Sequence, residues 1–154
     1  MSLHMPTRDS QQSNFYWIDL VDFEIVCFKL ARKHYTFNEP IPDLSKRNPG
    51  ILESCLETPI QQFGGKEVYK TFESKLSILF YLLIKNHPLQ NGNKRAAFTT
   101  LLVTMFLNKR WLDVGDMAIY KLAKEVASSL SKDKDKILKR IESFIKRHQI
   151  KVNP

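Results

Sequence analysis

With only two cysteines, Cys27 and Cys55, the chain has little with which to build a disulfide framework. They lie far apart, each in an apolar helical stretch, and read as small buried hydrophobes of a reducing cytosol. With no His cluster beside them, they cannot supply the four ligands of a usual zinc site. Long hydrophobic runs are missing too. The longest, Ile78 to Ile84, is far short of the ~20 residues that span a bilayer. The opening MSLHMPTRDSQQSN holds no apolar segment and so is no secretory signal. Residues 1–14 read as a disordered leader, with Met1 to Leu3 a cloning remnant and Met5 nearer the native start. These absences point to a cytoplasmic protein. Acidic residues are the scarcer charge, 16 against 24 Lys and Arg, leaving +8 and a pI near 9.5. That balance favours an anionic partner without choosing between nucleotide, nucleic acid and an acidic protein surface.

What the chain does hold is helical periodicity. Residues 15–150 contain no internal repeat and no boundary, so one domain is expected. In DLVDFEIVCFKLARKH, Leu20, Val21, Ile25, Phe28 and Leu30 suggest an amphipathic helix. NEPIPDLSKRNPG follows as an irregular connection, with three prolines and an Asn48-Pro49-Gly50 turn. ILESCLE predicts a short helix broken by Pro59. FESKLSILFYLLIKN and KRAAFTTLLVTMFLN are apolar almost all round, so both helices should be buried. DMAIYKLAKEVASSL and KDKILKRIESFIKRHQI predict two more. The last has Ile137, Leu138, Ile141, Phe144, Ile145 and His148 on one face.

Strand signals are nearly confined to TPIQQFGGKEVYK. Thr58 to Gln62 reads as extended, Gly64-Gly65 as a two-residue turn, and KEVYK as the return arm. A lone hairpin is marginal and must lean on the helices. The expected architecture is a compact all-α bundle with one small β-hairpin flap.

The stretch NHPLQNGNKRAAF, residues 86–98, joins the two most apolar helices and carries more than a turn needs. Gly and Asn accept positive φ, so Asn91-Gly92-Asn93 can turn backbone N–H groups to one concave side. Those groups run into a helix N-terminus, where donors are unsatisfied and the dipole is positive. Lys94 and Arg95 in that first turn oppose the dipole, a cost that a bound anion would offset. Nest, helix start and two cations together describe a phosphate site. His87 on the opposite lip has the pKa range of a general base at neutral pH. The bland alternative is that His87 merely ends a helix before Pro88, with Asn and Gly as caps.

HPLQNGNKR resembles the signature of Fic/Doc proteins, H-x-F-x-[D/E]-[G/A]-N-[G/K]-R. The Lys94-Arg95 ending is similar to that of the Doc (death-on-curing) branch. Typical AMP-transferring Fic enzymes end in N-G-R-x-x-R, and Phe98 stands where they carry the second Arg. The likeness extends over roughly residues 15 to 147, including NPGILESCLETPIQQF before the flap. It implies a Fic/Doc-type helical bundle in which His87 deprotonates a target hydroxyl. Gly92 and Asn93 would form the anion nest, with Lys94 and Arg95 on the phosphates of ATP. The flap residues Thr58, Pro59, Ile60, Gln61, Gln62, Phe63, Gly64 and Gly65 would align the target chain.

Two positions depart from that pattern. Leu89 replaces the family's Phe, an apolar exchange. Asn91 replaces the acidic residue that usually holds Mg²⁺, so as a catalytic and metal position it offers an oxygen without charge. The self-inhibitory pattern [S/T]-x-x-x-E-[G/N] is absent, since no Glu is followed by Gly or Asn. The resemblance therefore implies a Doc-like toxin, restrained by a separate antitoxin. It would move a phosphoryl group or AMP from a nucleoside triphosphate to a protein Ser, Thr or Tyr, with a target in the translation machinery. The alternative is a phosphate-binding module weakened by loss of the metal carboxylate. KDKDKILKRIESFIKRHQIK interleaves acids with its cations and reads as a solvated helix face, not a nucleic-acid surface. Trp17 and Trp111 read as packing residues, His34 and His148 as helix C-terminal caps. Phe63 and Tyr69 read equally as target contacts or half-buried packing.

Overall fold

Helix α4 (Phe72–Lys85) sits at the centre because its sequence leaves it no polar face. In the computed structural model, which describes residues 15–34 and 41–153, Phe72 and every residue from Lys75 to Ile84 are buried. Thr71 starts the helix with a capping box. Its Oγ1 accepts from Ser74 N–H at 3.0 Å, and its own N–H donates to Ser74 Oγ at 3.1 Å. Helix α5 (Asn93–Leu107) packs beside α4, with Arg95 to Leu102, Thr104 and Met105 buried. Ala96 and Ala97 sit in that interface side of the chain fully enclosed.

The remaining helices cover this pair. The first begins as α1 (Leu20–Asp22), passes through a π-helical stretch, Phe23–Phe28, and continues as α2 (Lys29–His34). Phe23, Cys27, Phe28 and Ala31 face the core, whereas Val21, expected on the apolar face, is half exposed. Helix α3 (Ile51–Glu57) carries Leu52, Cys55 and Leu56 inward. Beyond it pack α6 (Asp116–Ser128) and α7 (Lys134–His148), which bury Ile119, Leu122, Ala123 and Val126, and Ile141, Phe144 and Ile145. Ile137 and Leu138 lie partly buried against the same core, as the face reading of α7 expected.

The flap is shorter than its sequence suggested. Thr58–Ile60 is a 3₁₀ turn and not an extended arm. Pro59 has no N–H to continue α3, yet it fits the first positions of a tight helical turn. The strands proper are β1 (Gln62–Phe63) and β2 (Lys66–Glu67), paired antiparallel as Gln62–Glu67 and Phe63–Lys66. Gly64 (φ +57°) and Gly65 (φ +77°) between them supply the two left-handed residues of a type I′ turn.

Lys75, whose side chain is fully buried, ties this hairpin to α4. Its Nζ donates to the Tyr69 carbonyl and lies 3.4 Å from Glu67 Oε1. Phe63 is 66% exposed at the flap, whereas Tyr69 is half-buried against the core.

A second pairing was not expected. Helix α7 ends at His148, two residues before its predicted end, and β4 (Gln149–Lys151) pairs with β3 (Arg110–Leu112). Each arm is three residues, too short for a periodic signal, and the two follow helices α5 and α7, which both pack on α4. Trp111 faces outward there, 37% exposed and edge-on to Phe106, so it is not a core residue. Trp17 is one, and its Nε1–H donates to the Leu56 carbonyl at 2.8 Å.

Both cysteines are buried and unpaired, as expected. Burial pushes each thiol up to about 12 from an ordinary 9.0, so both are protonated at neutral pH. His148 is the last residue of α7 and packs on Phe144, with ring centroids 4.7 Å apart. The leader, residues 1–14, the side chain of His34 and residues 35–40 lie outside the described residues. No helix among the described residues is long and apolar enough to cross a membrane.

Candidate active site

The loop between α4 and α5 is held from three directions. Its backbone leaves α4 at Asn86 and turns at His87, where φ is +49°. A left-handed conformation at a residue other than glycine is uncommon and costs about 1–2 kcal/mol. The residue before a proline is steered away from right-handed helix, and at His87 the left-handed region is taken instead of an extended one. His87 itself is exposed, while Pro88 and Leu89 beyond it are buried. Leu89 thus drives the loop into the core, as the apolar replacement at that position requires.

Asn93 holds the loop from within. Its Oδ1 accepts from Leu89 N–H at 2.8 Å and its Nδ2 donates to Leu89 O at 3.0 Å. These two bonds orient the amide, so Nδ2 is the atom facing His87 Nδ1, at 3.5 Å. The Asn93 side chain is thus a strut of the loop. Asn48 holds the loop from outside. Its N–H donates to Pro88 O at 2.9 Å and its Nδ2 to His87 O at 2.6 Å. Asn48 belongs by sequence to the Asn48-Pro49-Gly50 turn and shows no sign there of a link to the loop. Its spacing from His87, 39 residues, carries no local signal.

Gly92 (φ +81°) is the N-terminal cap of α5 and the single left-handed residue among positions 91–93. Glycine is needed there twice over. A Cβ at this position would lie 2.5 Å from Ile41 Cγ1 and 3.2 Å from Arg95 Nη2. The Arg95 guanidinium therefore folds back across Gly92, and Arg95 is 9% exposed. Lys94 is half-buried one residue earlier. The first hydrogen bond of α5 runs from Ala96 N–H to Gly92 O at 2.9 Å, so the amides of residues 93–95 precede the helical ladder.

The sequence-predicted residues His87, Asn91, Gly92, Asn93, Lys94 and Arg95 thus share one loop and helix start, with two cations and no carboxylate. Asn91 Oδ1 accepts from Gly92 N–H at 2.8 Å. Among the described residues no group of three or more His, Cys, Asp or Glu could hold a metal ion. A Mg²⁺ held by protein carboxylates does not fit this loop.

The flap is not part of the loop but is joined to it through Asn48. Gly50, two residues on, opens α3, which leads through the 3₁₀ turn into β1. A cleft of about 400 Å³ lies along this segment, lined by Gly50, Glu53, Ser54, Glu57, Thr58 and Gln61. Of the predicted flap residues, Thr58 and Gln61 line it, Pro59 is buried in the core, and Phe63 points away into solvent.

A protein-family model described as Fic, the Fic/DOC family, matches residues 17–105, from the first helix through most of α5. No curated protein and no solved structure matches the chain.

Proposed function

We propose, for a chain that belongs to the Fic/DOC family by a match over more than half of its length, a transferase of the Doc branch. Nucleotidyl or phosphoryl transfer to proteins is the chemistry that membership suggests. The observation that carries the finer reading is the convergence of His87, the 93–95 amides, Lys94 and Arg95 on one braced loop. In this reading ATP enters as its Mg²⁺ complex, the metal being part of the substrate. Its phosphates lie on the helix start, between the amides and the two cations. A target segment lies along the flap, with a Ser, Thr or Tyr hydroxyl directed at His87.

The hydroxyl oxygen attacks phosphorus as its proton passes to a ring nitrogen of His87, and the bond to the leaving phosphate breaks. Attack at the γ phosphorus releases ADP; attack at the α phosphorus releases pyrophosphate. The protein's contribution is positioning and charge neutralisation. The Asn-Lys-Arg ending of the motif supports γ attack over α attack. The missing self-inhibitory pattern supports a toxin restrained by a separate antitoxin in the cytoplasm, acting on a component of translation.

A second reading is favoured by Asn91, whose amide oxygen is occupied by Gly92 N–H where the family signature has a carboxylate. It makes the protein a nucleotide- or phosphate-binding module with weak or no transfer. One experiment addresses both. Wild type, His87→Ala and Asn91→Asp are incubated with a cell lysate, Mg²⁺ and either γ- or α-labelled ATP. Protein label from γ alone, lost in His87→Ala, supports phosphoryl transfer; label from α supports AMP transfer. Label arising only in Asn91→Asp supports the weakened module. No label from any of the three overturns the transferase.

A further inference from the structure

Asn48 makes a contact with the loop that no helix or strand requires. Its backbone N–H and its side-chain Nδ2 donate to consecutive carbonyls, Pro88 O at 2.9 Å and His87 O at 2.6 Å. Those carbonyls are the first two after the His87 Cα, and His87 is the one residue of the loop, other than Gly92, that stands in the left-handed region. The peptide planes after His87 and after Pro88 are each held at their oxygen, so the chain leaving the left-handed His87 (φ +49°) is braced from outside the loop.

The Asn48 turn is itself rigid. Asn48 O accepts from Ile51 N–H at 3.3 Å, and Gly50 O accepts from Ser54 N–H at 3.1 Å. Arg47 on one side of the turn pairs with Glu53 on the other at 3.0 Å. Pro49 narrows the conformations open to Asn48. From this turn the chain runs directly through α3 to the flap.

We infer that Asn48 is a positioning residue: its carboxamide sets the direction of the His87 side chain relative to the cleft and flap where the target lies. This deepens the transferase reading above and rests on it for the role of His87. Asn48 does not touch the phosphate site, since its bonds go to carbonyls on the far side of Leu89 from Gly92. Its loss should therefore act on the chemical step and leave nucleotide binding alone.

Three variants separate the effects. Asn48→Ala removes the side-chain donor, Asn48→Asp replaces it with an acceptor of the same shape, and Asn48→His restores a donor nitrogen at the same reach. Two readouts apply. The first is the split between kcat and KM for ATP in the labelling reaction. The second is hydrogen exchange of the Leu89 amide, whose bond to Asn93 depends on the same loop geometry and needs no activity.

The expected result is a fall in kcat of roughly tenfold or more in Asn48→Ala and Asn48→Asp, with KM for ATP within about twofold. Asn48→His should recover most of it, and Leu89 exchange should accelerate in the two donor-less variants alone. Unchanged kcat, a parallel rise in KM for ATP, or no recovery in Asn48→His would overturn the inference. If wild type labels nothing, the transferase reading fails separately, and Leu89 exchange still decides. Equal exchange in wild type and Asn48→Asp refutes the clamp.

Discussion

Replacing Gly92 by alanine tests the construction of the loop proposed to receive phosphate. Two independent penalties apply. The first is conformational, because φ is +81° and an L-residue there costs about 1–2 kcal/mol. The second is steric. The new Cβ would sit 2.5 Å from Ile41 Cγ1 and 2.9 Å from Cδ1, and Ile41 is 2% exposed with little room to retreat. Overpacking of this kind costs about 1–3 kcal/mol, giving a total of about 2–5 kcal/mol against a typical stability of about 5–15.

Gly50 provides the control. Its φ is +79°, nearly the same, but a Cβ there would meet nothing within 4 Å. Gly50→Ala should therefore lose only the conformational part, about 1–2 kcal/mol. Urea denaturation followed by far-UV circular dichroism measures both, and Gly92→Ala should have the lower midpoint at equal slope. Adding Ile41→Ala should then absorb part of the Gly92→Ala penalty, a coupling of about 1–3 kcal/mol. Gly92→Ala no worse than Gly50→Ala, together with strictly additive double-mutant energies, would refute the packing of Ile41 on the nest.

Two further outcomes follow from buried groups. The thiols of Cys27 and Cys55, at about 12 in the folded protein against 9.0 ordinarily, keep protons that the unfolded chain has lost. Their contribution is complete below pH 9.0 and is lost as pH rises from there towards 12, at up to about 1.4 kcal/mol per pH unit for each thiol. Urea midpoints measured from pH 8 to 11 should fall more steeply for wild type than for Cys27→Ala; parallel curves would contradict the assignment. Lys75→Met should leave the Tyr69 carbonyl and Glu67 without their buried partner, costing about 1–3 kcal/mol and loosening the flap. Faster hydrogen exchange at residues 61–68 checks this, and unchanged flap protection would show that Lys75 is not its anchor.

The helical class, the centrality of α4 and α5, the flap turn at Gly64-Gly65, and the loop that gathers His87, Gly92, Lys94 and Arg95 can all be read from the order of residues. All of these are local properties. Apolar residues around a full helical circumference leave no surface for solvent, and paired glycines take φ values that other residues resist. A short motif between two buried helices must lie where the helices end.

What tertiary structure decided depends on residues distant in sequence. The β3–β4 pair joins the segments that follow α5 and α7, two helices that both pack on α4, and neither three-residue arm has a preference of its own. The π stretch at Phe23–Phe28 is a change of helical pitch that a 3.6-residue template does not show. Lys75 is a cation inside a buried helix, and only the packing shows that the Tyr69 carbonyl and Glu67 meet it there. Asn48 reads as a turn residue, and its second role appears only where packing sets it beside His87. A side chain's partner across space is fixed by the packing of whole elements, and local composition does not encode it.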